Sequence, residues 1–370
     1  MSVKFGMLNL FENPEGRGEN ENVKRNIEVM VQAEALGYDS VWPAEHHFSE
    51  YGYLGAPQVS LAAVASRTTR LKLGTGVIIL PFHNPIRVAE DFALLDQMSD
   101  GRVLLGVGRG YQPMEYRGFG IDQEHSREMF DESLEIITQA WTKERFSFKG
   151  KYYTVNDLEV RPKPFQKPTP PIYMAALMPD TFERAGRLGH NLLMAGIFGM
   201  PKEQALQGIA NYRKGRAAVG LDPAGGRISC LVQIYPGRTT GEAIADFREP
   251  VGWYYRTIAK YVAPPAGKAM IKGYELYGNA RDIALTASFE QLRESFGLVC
   301  GDVDYCTEKL VRMVRELGVD EILCWTDIGT LDRRKYMQAL DLFGSQLMPR
   351  VRKEVAQMKA NAKVPQAAAA

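Results

Sequence analysis

Two of the chain's five histidines are adjacent: "AEHHFSEYGYLG", residues 44–55, places His46 and His47 behind Glu45 and before an aromatic loop. Imidazoles titrate near neutrality, so such a pair can ligate a metal or move protons. A zinc site needs three or four converging ligands, whereas neighbours in an extended segment point to opposite sides. His83, His125 and His190 stand on other segments without a matching carboxylate cluster, so no metal is expected. Proton transfer by one ring, or a structural role for both, stays open.

Three further stretches could hold a ligand. "GVGRGY", residues 106–111, combines glycines that admit close backbone approach with the planar fork of Arg109, suited to a phosphate or to an ion pair across a tight turn. Its glycine spacing is not that of a dinucleotide fingerprint. "GTGVIILPFHNPIRVAED", residues 74–91, sets glycines inside a strand pattern, so Gly76-Val77 either supports a flat ring or simply bends the strand. "AALMPDTFERAG", residues 175–186, opens a helix with Asp180 as its expected N-cap, and its first N–H groups can bind an anion or only be capped.

These stretches must be positioned by strands, and eight strand candidates alternate with helical segments: residues 3–11, 38–44, 71–80, 102–108, 171–177, 190–196, 228–235 and 320–328. The pattern predicts an α/β fold, a (β/α)8 TIM barrel, with catalytic residues at the C-terminal strand ends. Long insertions follow the fourth and seventh strands, at 111–170 and 236–319. The first carries the helical "SREMFDESLEIITQAWTK" and a hairpin-like "FSFKGKYYTVNDLEVRPKP"; the second concentrates aromatics, prolines and glycines, as lids and pocket walls do. No repeat or composition break divides the chain, so one domain is expected over 1–352, with a frayed helix end and disordered tail at 353–370.

Composition narrows the function. Forty-five basic against 44 acidic residues leave a charge of +1, which attracts neither nucleic acid nor an anionic membrane. No apolar run approaches the roughly 20 residues of a membrane span. The opening "MSVKFGMLNLFENPEG" is too polar for a signal peptide. Cys230, Cys300, Cys306 and Cys324 form no Cys-x-x-Cys pair, and three of them lie in or beside apolar runs. A reducing, cytoplasmic setting is expected.

In order along the chain, "AEHHF", "GTGVIILP", "RVAEDFALLDQMSDGR", "GVGRG", "FGIDQEHSRE", "PIYMAA", "GVDEILCW" and "LDLFGSQLMPRVR" resemble the bacterial luciferase-like flavin-dependent monooxygenases, more closely the luciferase α-subunit-like branch than the deazaflavin branch. The resemblance spans about residues 3–352. It implies a two-component enzyme: a separate NAD(P)H-dependent flavin reductase supplies reduced FMN (FMNH2), and O2 adds at the flavin C4a to give a peroxide (a C4a-peroxyflavin) that oxidises a small organic molecule. His46 matches the family's proton-transfer histidine. The match further implies that Arg109 and Arg127 hold the phosphate, aided by Ala176, Leu177, Met178 and Thr181, and that Gly76, Val77 and Gly108 lie along the flavin, Gly76-Val77 being a non-proline cis peptide in relatives. Met178 stands where many relatives carry a hydroxyl, and Gly108 where light-emitting relatives carry a cysteine, which argues against bioluminescence. The 253–277 segment corresponds to a mobile excursion, and Tyr111, Trp253, Tyr254 and Tyr274 are candidates for a substrate pocket. Family precedent is a homodimer through helices near strands two and three. The alternatives are an F420-dependent oxidoreductase on the same barrel and a non-catalytic flavin-binding protein.

Overall fold

Short runs such as "VLLGVG" and "EILCW" are buried along their whole length, as strands covered on both faces must be. A computed structural model describes residues 2–14, 16, 18–196, 200–263 and 271–361. Its strands are β1 (Lys4–Asn9), β2 (Ser40–Pro43), β3 (Lys72–Gly74), β4 (Ile78–Ile79), β5 (Val103–Gly108), β6 (Phe146–Lys149), β7 (Thr154–Leu158), β8 (Ile172–Ala176), β9 (Asn191–Ala195), β10 (Ile228–Gly237), β11 (Leu298–Asp302) and β12 (Glu321–Trp325). Parallel pairing runs from β10 through β12, β1, β2, β3, β5, β8 and β9 and returns to β10, which closes an eight-stranded barrel. Helices fill the connections.

All eight strand candidates are staves of this barrel. The third is split: β3 stops at Gly74, the Gly76-Val77 peptide is cis, and β4 resumes pairing with β5 at Ile78↔Val107. β11 escaped the sequence reading, because its five residues sit inside a long connection dominated by helical and turn signals. It pairs with the second half of β10, Gln233 to Gly237, where that strand has run past its barrel neighbours.

Below the C-terminal rim the barrel is filled by Trp42. Its Nε1 donates to Ser40 Oγ at 2.7 Å and its ring meets Tyr173 edge-on at 5.2 Å. A Cβ on Gly74 would fall 2.3 Å from the Trp42 ring, so only glycine leaves room there. Glu321 closes the layer, accepting from Ser40 Oγ at 2.5 Å and Ser229 Oγ at 2.9 Å; burial nevertheless raises its pKa.

Between β5 and β8 lie the helix Ser126–Thr142 and the antiparallel hairpin β6–β7. After β10 comes the helix Thr240–Tyr261; residues 264–270 of the expected 253–277 lid lie outside the described residues. The helix expected to start at Asp180 runs Pro179–Arg187 with Met178 at the N-cap, so Asp180 sits in its first turn and makes an ion pair instead. At the C-terminus the helix Met348–Asn361 continues past residue 352, since Val355 is buried against the core; 362–370 lie outside the described residues. All four cysteines are free and buried. Among the described residues no helix is long and apolar enough to cross a membrane.

Candidate active site

The C-terminal strand ends surround an open cleft of about 1290 Å³, mouth included. Its walls are mostly aliphatic and aromatic, with Leu8, Met174, Leu193, Leu231, Leu323 and Trp325 projecting from the barrel. The polar groups collect in two places, a histidine–carboxylate group beside β2 and a cluster of guanidinium groups beyond β5 and β8. An apolar cleft with a few fixed polar groups is the general form of a small-molecule site.

The strand ends are tied together before any side chain acts. Gly76 N–H donates to Pro43 C=O at 3.0 Å and Glu45 N–H to Val77 C=O at 3.3 Å, so both flanks of the cis peptide are held by the β2 terminus. Glu45 is fully buried and one of its oxygens accepts from Ile79 N–H at 2.9 Å. The other lies 2.9 Å from both His47 Nε2 and His83 Nε2. Burial pushes the Glu45 pKa up, but these hydrogen bonds and the His83 charge prevail and leave it lowered. Behind β3, Thr75 Oγ1 donates to Gly106 C=O at 2.7 Å and accepts from Gly106 N–H at 3.0 Å. A Cβ on Gly106 would lie 1.8 Å from Thr75 O.

The two adjacent histidines take separate partners. His46 lines the cleft, with Nδ1 3.0 Å from Glu115 Oε1 and ring edges toward Tyr51 at 4.7 Å and Tyr111 at 5.7 Å. His47 bonds Glu45 and packs on Phe119 at 4.7 Å, outside the cleft lining. Glu115 comes from the short helix Pro113–Gly118 and also accepts from His47 N–H at 2.9 Å. A carboxylate facing Nδ1 favours the proton on that nitrogen and leaves Nε2 able to accept one. Gln112 Nε2 lies 3.1 Å from the same Nδ1; with the proton on Nδ1 the Gln112 amide is turned over so that its oxygen faces the ring.

At the other end Arg109 donates to Gly273 C=O at 3.2 Å and stacks 4.7 Å over the Tyr274 ring. Tyr274 is fixed by Ser126 Oγ at 2.9 Å. Arg127 pairs with Asp180 at 2.7 Å and Arg184 with Asp131 at 2.5 Å, and all three arginines line the cleft.

Of the residues singled out in the sequence, His46, Gly76, Val77, Gly108, Arg109, Tyr111, Arg127, Leu177, Met178, Thr181 and Tyr274 all line this cleft. Three do not. Ala176 is buried and does not reach the cleft, which its strand neighbours Met174 and Ala175 both line. Tyr254 is fully buried one layer back, stacked on Tyr51 at 5.9 Å and edge-on to Trp325 at 4.6 Å. Trp253 packs beneath Gly329, where an added Cβ would meet its ring at 2.3 Å. Thr181 N–H, expected among free donors, bonds Met178 C=O at 3.0 Å. Glu45, Glu115, Asp131, Arg184 and Trp325 were missed. Glu45 had a signal in its adjacency to the histidine pair; the others are joined to the cleft only by the folded chain.

Comparisons with known proteins agree with this architecture. A family model described as luciferase-like monooxygenase matches residues 3–321. The alkanal monooxygenase alpha chain of Aliivibrio fischeri is 30% identical over 355 residues, covering 94% of this chain and 98% of that one. The crystal structure of monooxygenase RslO1 from Streptomyces bottropensis is 26% identical with a TM-score of 0.79, covering 94% of this chain and 99% of that one. The oxygenating constituent of 3,6-diketocamphane monooxygenase from Pseudomonas putida, in complex with FMN, has a TM-score of 0.77 at 21% identity over 94% of this chain and 98% of that one; this likeness shows the fold alone.

Proposed function

Because the chain belongs to the luciferase-like monooxygenase family, we propose that it is the oxygenating component of a two-component system that uses FMNH2 and O2 to oxidise a small, weakly polar organic substrate. The observation that carries this reading is the cleft itself, with guanidinium groups at one end, a histidine backed by a buried carboxylate at the other and apolar walls between them. The residues fit a phosphorylated planar cofactor: the arginines suit a phosphate, and the β3–β4 segment with Gly108 presents a smooth wall to a ring. FMNH2, when bound, supplies the electrons that activate O2.

In this reading Arg109 and Arg127 bind the phosphate, with Leu177, Met178 and Thr181 beside it. His46, its Nδ1 committed to Glu115, holds or moves a proton at Nε2. The apolar walls exclude water from the reacting end, while Tyr274 supports Arg109 at the phosphate end. The cofactor reaches the protein from a separate NAD(P)H-dependent flavin reductase. Buried free thiols fit a cytoplasmic protein, and the exposed Val59, Leu94 and Met98 on helices Pro57–Ala65 and Pro85–Met98 support a homodimer through that face.

The test mixes purified protein and photoreduced FMN with O2 in a stopped-flow instrument. Oxidised-flavin absorbance is expected to return more slowly than for free FMNH2. Return at the free rate, together with saturable binding of F420, would move the assignment to a deazaflavin oxidoreductase. Slow return with every candidate substrate left unoxidised would favour a flavin-binding protein without turnover.

A further inference from the structure

The guanidinium cluster is larger than the two arginines assigned to the phosphate. Arg184 stands one helical turn beyond Thr181, on the same face of helix Pro179–Arg187, and lines the same cleft. Its Nη2 pairs with Asp131 Oδ1 at 2.5 Å, while its Nε is buried and has no hydrogen-bond partner. A buried guanidinium N–H without an acceptor is a donor waiting for one. Asp131 projects from helix Ser126–Thr142, one turn past Arg127, and also lines the cleft. Burial raises its pKa despite Arg184, Arg127 and Arg109, whose charges all act on it in the opposite direction. One half-buried carboxyl of the cleft wall is thus paired with Arg184 and lies within the field of Arg127 and Arg109. Arg109 and Arg127 converge as well, each within 4 Å of one point at Gly273.

We propose that Arg184 is a third phosphate-binding guanidinium in this protein and that Asp131 is the resident counter-anion that holds the cluster together without cofactor. This rests on the reading of the cleft as a flavin phosphate site. Arg184 supplies a side-chain donor to the cleft that Met178, which cannot offer a hydroxyl, also lines. Asp131 on Arg184, together with Asp180 on Arg127, keeps the like charges from repelling one another, and the Asp131 carboxylate competes with the incoming phosphate. The competition lowers affinity, which suits a cofactor that must arrive from and return to another protein.

Fluorescence titration of the whole protein with FMN, and with riboflavin as the phosphate-free probe, separates the outcomes. Arg184→Gln is expected to weaken FMN binding at least about tenfold, the loss of one charge-assisted hydrogen bond, and to leave riboflavin within about twofold. Arg184→Lys should restore part of the FMN affinity, which excludes a folding defect. Asp131→Asn is expected to tighten FMN binding about threefold or more, with a steeper salt dependence. Equal weakening of both ligands, or none, in Arg184→Gln overturns the proposal, as does an Asp131→Asn variant that binds FMN less tightly. Wild-type protein that binds neither ligand, oxidised or photoreduced, overturns the flavin reading beneath it.

Discussion

His46 Nδ1 lies 3.0 Å from Glu115 Oε1 across 69 residues of sequence, and the Glu115 side chain is wholly buried. A base oriented from behind by a buried carboxylate keeps one tautomer and one ring position. His46→Ala is therefore expected to retain FMN affinity within a few-fold while hydrogen peroxide replaces oxygenated product. Glu115→Gln should lower turnover by about 10- to 100-fold, as loss of the group that orients an imidazole does. Product yield per O2 consumed checks the first and the rate of product formation the second, and an undiminished value in either variant removes that residue from the assigned role.

Tyr274 offers a second test, because its ring and its hydroxyl do different things. The ring lies under Arg109 and the hydroxyl bonds Ser126. Tyr274→Phe keeps the ring and should leave FMN affinity almost unchanged. Tyr274→Ala removes a cation–π contact of about 0.5–2 kcal/mol and should weaken binding roughly two- to thirtyfold. Equal effects of the two substitutions would assign the contribution to the hydroxyl instead.

The contact between β3 and β5 makes Gly106 intolerant of any side chain, since a Cβ would overlap the Thr75 carbonyl at 1.8 Å. Backbone cannot move aside as a flexible side chain can. Gly106→Ala is expected to cost at least about 1–3 kcal/mol of stability, as overpacking does. Thermal unfolding should show a Tm several degrees lower; an unchanged Tm would mean that the two strands part without cost.

Glu45 and His83 make stability depend on pH. Burial disfavours the His83 cation, but its hydrogen bond to Glu45 and that carboxylate's charge prevail and raise its pKa. The His83 contribution is therefore complete below the unfolded value of about 6.5 and fades as pH rises through the higher folded value. Glu45, with its lowered pKa, contributes above about 4.3 and loses that contribution as pH falls through its folded value. The pair is strongest between these limits. His83→Gln keeps a donor for Glu45 without titrating, so the fall in Tm between pH 6 and pH 8.5 should shrink in the variant; an identical fall would exclude His83 as its source.

Much of this protein is legible in its sequence. Local periodicity determines which face of a strand or helix is apolar, and eight such strands in alternation with helices can bury their faces by closing into a barrel. Adjacency also separated His46 from His47, since neighbouring rings in an extended segment cannot share a partner. Tertiary structure decided the partners. Glu115 reaches His46 over 69 residues and Arg109 meets Gly273 over 164, separations that carry no periodic signal. It also decided depth: Tyr254 and Trp253 sit one layer behind the cleft, whereas Arg184 and Asp131, unremarkable on their helices, meet at its wall. The physical reason is that sequence pattern sets the direction a side chain takes from its own element, while barrel closure sets what lies in that direction.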